Sequence, residues 1–321
     1  MTAQPADGSD AAAAAVGDAD EPKNSEEKST TSTHWTDEDF ESFLRTELQK
    51  DPLSEEYPDL FAAAPKLIVE WRRRYRGNPS LWKRIFHKDR VLKEFIEAVP
   101  IIDAVQRLVV GSELNDGEKF TIVDLACGRG YLSMLLSELL PPDKVEKLVL
   151  VDKQWAMHGM KPTSNHISWT HIYGSLKECE DQSIPCYYET WPIRLNTSKV
   201  DLKKSKEIKN MEKRLFTDKG PVILVAVHLC GTLSLRAVEL FNNNPEVRFF
   251  CLKPCCLPGM VHAKRDEVFQ LGDHSFDSKV SLGVSVFCSM QRAHISDKMR
   301  RHFAMINYSP AFSPHPLSQY C

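Results

Sequence analysis

A chain of 321 residues can hold one large or two small domains and bury a full core. Its 41 Lys and Arg against 44 Asp and Glu leave a net charge of −3, which excludes a strongly basic coat for nucleic acid. No apolar run approaches the roughly 18 residues that span a bilayer, and nine cysteines in this length fit free thiols better than a disulfide framework, so no membrane association and a cytoplasmic or nuclear location are expected.

Residues 1–34 are rich in Ala, Asp, Glu, Ser and Thr, with almost no large apolar side chain, and are expected to form a disordered tail. Asp7, Asp10, Asp18, Asp20 and Glu21 argue against an organelle transit peptide, which is normally basic. A helical cap is expected over 35–110. Thr36 and Asp39 make a capping pattern, after which Phe40, Phe43, Leu44 and Leu48 recur at helical spacing. A second helical region covers about 60–76. The stretch 88–109 puts Val91, Leu92, Phe95, Ile96 and Val99 on one face, with Pro100 expected to interrupt it.

Within this cap, residues 71–93 carry nine Lys or Arg against the single acid Asp89, with Trp71, Tyr75, Trp82 and Phe86 interleaved. Cations for phosphates and rings for unpaired bases would make an RNA footprint. Spacings of four residues are equally those of a helix whose rings pack inward beneath a solvated basic face. Both readings stand at this level.

Residues 121–133 read TIVDLACGRGYLS, an apolar run that ends near Asp124 and turns through Ala126, Cys127, Gly128 and Gly130 into a helix starting at Tyr131. A strand, a sharp turn of small residues and a helix N-terminus are what an adenosyl ligand needs, because the backbone must approach it closely. The next strand, KLVLVD at 147–152, closes on Asp152 beside Lys153. An acid at that place accepts hydrogen bonds from ribose hydroxyls. A third strand is expected near 186–193, with Glu189 or Thr190 near the adenine, and an exposed helix within 199–219. A fourth strand is expected over 221–231, a helix over 233–241 and a fifth strand over 248–259. The alternation argues an α/β fold, a Rossmann-like doubly wound and mostly parallel sheet with the helical cap at its N-terminal side. For the closing antiparallel hairpin only VSLGVSVFCSM and HFAMINYSPAF are available.

The strand ends bring Cys127, His228 with Cys230, and Lys253 with Cys255 and Cys256 to one rim. Cysteines as small apolar fillers with His228 hydrogen-bonded behind them are one reading. A metal site is disfavoured because Cys255 and Cys256 are adjacent rather than spaced as CxxC, and none is expected. Cys230 and Cys255 echo the two cysteines of RNA cytosine C5 methyltransferases, with Lys253 as activating cation, but the PCSG and TCS contexts of that family are missing.

Taken together, VDLACGRGYLS, LVLVDK, HLCGTLSLRAVELF and KPCC resemble class I S-adenosylmethionine-dependent methyltransferases over about 85–260. Ala126 replaces the first glycine of their turn. The HxCG and PCC signatures are similar to those of a methyltransferase-domain family that includes tRNA 2'-O-methyltransferases and plant and algal members of uncertain substrate. The resemblance implies that 111–321 binds S-adenosylmethionine. It assigns Asp124, Ala126, Cys127, Gly128, Gly130 and Tyr131 to the methionine part and Asp152 with Lys153 to the ribose. His228, Lys253 and Cys255 become the catalytic candidates, and RNA, above all tRNA at ribose 2'-O or base, the acceptor. Two departures stand beside it: the zinc-finger clusters of the tRNA enzymes are absent, and no NPPY-type motif ends the fourth strand, which argues against an exocyclic amine as acceptor. A non-catalytic scaffold on the same fold, or a methyltransferase for proteins or small molecules, fits the same motifs.

Overall fold

Apolar stretches of the chain become strands buried on both faces, and that burial fixes the layering. The computed structural model describes residues 35–175, 184–216, 220–229, 232–253, 268–271 and 274–277. Strands β1 (Phe120–Leu125), β2 (Val145–Asp152), β3 (Arg194–Lys199), β4 (Val222–Val227) and β5 (Val247–Lys253) form one sheet in the order β3-β2-β1-β4-β5. All its pairings are parallel. Successive side chains point to opposite faces. Ile122, Leu148, Leu150, Ile223 and Val225 therefore face one core, while Val123, Leu125, Val149, Val151, Leu224 and Ala226 face the other.

The first core is closed by α1 (Asp37–Leu48), α2 (Leu53–Glu56), α3 (Pro58–Arg74), α4 (Pro79–Ile85), α5 (Lys88–Gly111) and α6 (Tyr131–Leu139). The second is closed by α8 (Ser205–Leu215) and α9 (Thr232–Asn243), with Ile208, Met211 and Leu215 making the inward stripe of α8. A short helix, α7 (Thr170–Tyr173), lies between β2 and β3. Helices on both faces of a parallel sheet give the doubly wound α/β architecture that the alternation predicts, and the N-terminal helices share one apolar core with it. A separate antiparallel pair, β6 (Val268–Leu271) with β7 (His274–Asp277), follows. The tail 1–34 and the two C-terminal segments expected to close the sheet lie outside the described residues. Among the described residues, no helix is long and apolar enough to cross a membrane.

Three expectations change. Pro100 does not interrupt its helix: α5 runs on to Gly111, with Val99, Pro100, Ile101 and Ile102 all buried. A proline inside a helix costs about 3 kcal/mol, and each fully buried aliphatic neighbour contributes roughly 1.5–3 kcal/mol in return. The third strand is Arg194–Lys199, not 186–193, and Glu189 and Thr190 lie on an exposed 3-10 turn, Tyr188–Thr190. Tyr187 and Trp191 are used there as core side chains, and Trp191 Nε1 donates to the Ile172 carbonyl at 2.9 Å. The edge strand RLNTSK then carries only one large aliphatic residue, Leu195, so its apolar signal is weak.

The third change concerns 71–93. Trp71, Tyr75 and Phe86 are wholly buried, and Phe86 stacks with Tyr75 at 4.4 Å and with Trp82 at 5.2 Å. These rings are core, so base stacking is not open to them. Arg72, Arg73 and Arg76 pair with Asp37, and Arg74 pairs with Glu138. Lys83, Arg84, Arg90 and Lys93 stay exposed, with no ion pair among the described residues.

The buried Tyr75 hydroxyl donates to the His171 carbonyl at 2.6 Å and ties α3 to α7. Tyr75→Phe leaves that carbonyl without its donor, and should cost about 1–3 kcal/mol. Urea denaturation checks this; an unchanged midpoint would show that the bond does not anchor α7.

Candidate active site

β1 runs into a turn in which Ala126 (φ 54°), Gly128 (φ 56°) and Gly130 (φ 84°) all adopt left-handed backbone. Such a conformation is readily available to glycine and costs an alanine roughly 1–2 kcal/mol. Hydrogen bonds hold it. The N–H of Cys127 donates to the Val151 carbonyl at 3.1 Å, and that of Gly130 to the Cys127 carbonyl at 2.8 Å. The N–H of Gly128 donates to Asp152 Oδ2 at 3.1 Å, and that of Gln154 to Asp152 Oδ1 at 2.7 Å. Asp152 thus fastens the turn after β1 to the end of β2. Each of its oxygens keeps a further lone pair for a ligand hydroxyl.

Gly130 and Gly128 are needed for different reasons. A Cβ on Gly130 would meet Leu150 Cδ2 at 2.3 Å, so this glycine lets α6 approach the sheet. A Cβ on Gly128 would meet nothing within 4 Å, so it would project into open space at the strand ends. Small residues here keep a concavity clear at the reversal of strand order between β1 and β4, where open α/β sheets bind ligands. α6 begins at these same strand ends, with the N–H and the hydroxyl of Ser133 in its first turn both taken up by Asp124.

The turn rests on Asp124, which is 2% exposed and accepts from the Ser133 hydroxyl at 2.8 Å. Burial, with the negative charges of Asp152 and Glu94 adding to it against the opposing Ser133 bonds, pushes its carboxyl up to about 7. Desolvation, together with Asp124 and Asp152, raises the Cys127 thiol well above its ordinary range, so it is no thiolate nucleophile. The Tyr131 hydroxyl donates to the Ile85 carbonyl, joining α6 to α4, and Lys153 is exposed beside Asp152. His171 donates from Nε2 to the Arg129 carbonyl at 2.8 Å and so props the turn from below. Burial, with Arg84 adding, pushes this imidazole down to about 3 and keeps it neutral.

His228 and Lys253 meet, as the sequence places them. His228 follows β4 with φ 64°, and its N–H donates to the Lys253 carbonyl at 2.9 Å. What the sequence reading lacks is the partner from α5: His228 Nε2 donates to Glu97 Oε2 at 3.0 Å, and Lys253 Nζ to the Glu97 carbonyl at 2.7 Å. Glu94, one turn earlier, completes the group. Burial lowers the Lys253 ammonium from its ordinary value, opposed by Glu97, and raises the Glu94 carboxyl, opposed by His228. Cys230, Cys255 and Cys256 lie outside the described residues. An acid pair at i, i+3, Glu94 and Glu97 in KEFIEAV, is the signal that could have drawn attention to α5.

Asp124 gives a pH test with a definite sign. Its folded value lies above the ordinary 3.8, so its contribution is fully present below that value and is lost as pH rises through about 7. Asp124→Asn removes this loss, and the variant should gain stability relative to the parent between about pH 4 and about pH 7. Parallel pH profiles in urea denaturation would contradict the burial argument.

Residues 90–262 match the model of a family described as a methyltransferase domain. Comparison with curated proteins gives no match. The matched segment is more than half of the chain and takes in β1, β2, β4 and β5 with the turn and both polar groups at their ends. The chain belongs to the methyltransferase-domain family, on a class I fold.

Proposed function

We propose that the protein transfers a methyl group from S-adenosylmethionine to RNA, with a tRNA ribose hydroxyl as the preferred acceptor. The observation that carries the reading is the left-handed turn 126–130, fastened to Asp152 and open above Gly128. Its donor set fits an adenosyl cofactor. Spare lone pairs of Asp152 take ribose hydroxyls, α6 offers its N-terminal N–H groups, and Gly128 keeps the backbone approachable. When bound, S-adenosylmethionine supplies a methyl group activated on a positively charged sulfur. The chain's own task is to hold an acceptor in line and help it lose a proton. His228, Lys253 and Glu97 converge at the ends of β4 and β5, beside the turn, and can do so.

RNA is favoured by charge rather than by stacking. Lys83, Arg84, Arg90 and Lys93 are exposed on α4 and α5, and Arg129 of the turn donates to the Arg84 carbonyl at 3.2 Å, so the cations border the site. Phosphates are the ligands such a border takes. The free thiols of Cys127, Cys186 and Cys251 fit a cytoplasmic or nuclear enzyme.

Incubation with methyl-labelled S-adenosylmethionine and separate RNA, protein and small-metabolite fractions tests the reading. Label should enter small RNA, on ribose after nuclease digestion. Label in protein or metabolites would overturn the acceptor, and none anywhere, with cofactor bound, would favour a scaffold. Asp152→Ala removes the acceptor of two backbone N–H bonds and of ligand hydroxyls. It should weaken cofactor binding about tenfold or more by titration calorimetry; unchanged affinity would remove Asp152 from the site.

A further inference from the structure

We propose that Glu94, Glu97 and His228 hold a divalent cation of the Mg²⁺ or Mn²⁺ kind at the mouth of the site. The ion's purpose rests on the function proposed above; its binding does not.

Three side chains from two distant parts of the chain converge here. Glu94 and Glu97 lie one turn apart on α5, and His228 approaches from the end of β4. One ligand atom of each lies within 4.8 Å of the other two, and His228 Nε2 is 3.0 Å from Glu97 Oε2. Around an ion with bonds of about 2.0–2.2 Å, neighbouring ligands stand about 3 Å apart and opposite ones a little over 4 Å. The trio lies close to that spacing, so small side-chain rotations, with the ring proton of His228 moved from Nε2 to Nδ1 to free a lone pair, would close it on an ion.

The Glu97–His228 bond alone would suffice to pin α5 to the strand ends. It does not explain Glu94, a partly buried carboxylate that has no side-chain hydrogen bond or ion pair among the described residues. The neighbouring ammonium of Lys253 is directed to the Glu97 backbone carbonyl, not to either carboxylate. Two acids facing each other in a partly desolvated place repel, and a cation between them removes the repulsion.

Two carboxylates and one imidazole, with no thiolate among the three, select a fairly hard ion. Three protein ligands leave coordination positions open, and the exposed side of His228 leaves them reachable. An acceptor hydroxyl bound there would have its O–H bond weakened, the proton leaving to water as the oxygen takes the methyl. His228 is then a ligand, and Lys253 remains to meet the acceptor's negative charge.

Binding is read without any acceptor. The full chain is titrated with Mn²⁺, the free ion being followed by electron paramagnetic resonance, alongside Glu94→Gln, Glu97→Gln and His228→Gly. Glycine suits the left-handed backbone at 228, so that variant should fold. The parent should bind one ion, displaced by excess Mg²⁺, and each variant should bind it at least about tenfold more weakly. S-adenosylhomocysteine affinity, measured on the same preparations, shows that the variants are folded. No Mn²⁺ bound by the parent, or equal binding by all three variants, would overturn the proposal. Mn²⁺ binding with no cofactor binding would instead fault the proposed function and leave the ion site standing.

Discussion

The site depends on one carboxylate and two backbone amides. Asp152 accepts from Gly128 and from Gln154, and in doing so fixes the turn after β1 against the loop after β2. An anionic acceptor makes such bonds about twice as strong as neutral ones. That offsets much of the strain of left-handed backbone at Ala126, a residue with a Cβ. Remove the carboxylate and the turn keeps the backbone bonds of Cys127 and Gly130 and the two contacts of Arg129, with His171 and with Arg84, but loses its tie to the loop after β2. A ligand reading the shape of this turn therefore reads Asp152 twice, through its spare lone pairs and through the backbone that it organises.

Around this anchor the protein concentrates negative charge under cover. Asp124 lies beneath the turn, Asp152 beside it, and Glu94 and Glu97 come over from α5. Buried acids at such distances raise one another's proton affinity, and they favour positively charged ligands at the mouth. A sulfonium and a divalent ion are both of that kind, while the exposed cations of α4 and α5 border this zone, Arg90 and Lys93 near enough to act on Glu94. The helices before β1 are therefore part of the site. They supply Glu94 and Glu97, the outer cations and, through Tyr75 and its bond to the His171 carbonyl, support for the prop under the turn.

Much of this was legible in the chain because it is local. Strand, turn and helix follow within thirteen residues from Thr121 to Ser133, and each strand buried on both sides announces itself as an apolar run. What could not be read is what tertiary contact creates. Glu97 meets His228 across 131 positions and Lys253 across 156, and nothing in either segment names the other. The edge strand β3 gives little apolar signal because RLNTSK is polar, whereas the aromatic stretch before it is core without being strand. Trp71, Tyr75 and Phe86 show the same lesson from the other side: helical spacing allows an inward-packed face and a stacking surface alike, and only the tertiary packing decides that they are core.

The central claim is that the turn 126–130 and the start of α6 form the cofactor site. Backbone hydrogen exchange over 121–139, with and without S-adenosylhomocysteine, tests it most directly. Slowed exchange confined to the turn, the first turn of α6 and the residues just after Asp152 is the predicted result. Ligand binding that leaves these amides unchanged and protects another part of the protein would contradict it.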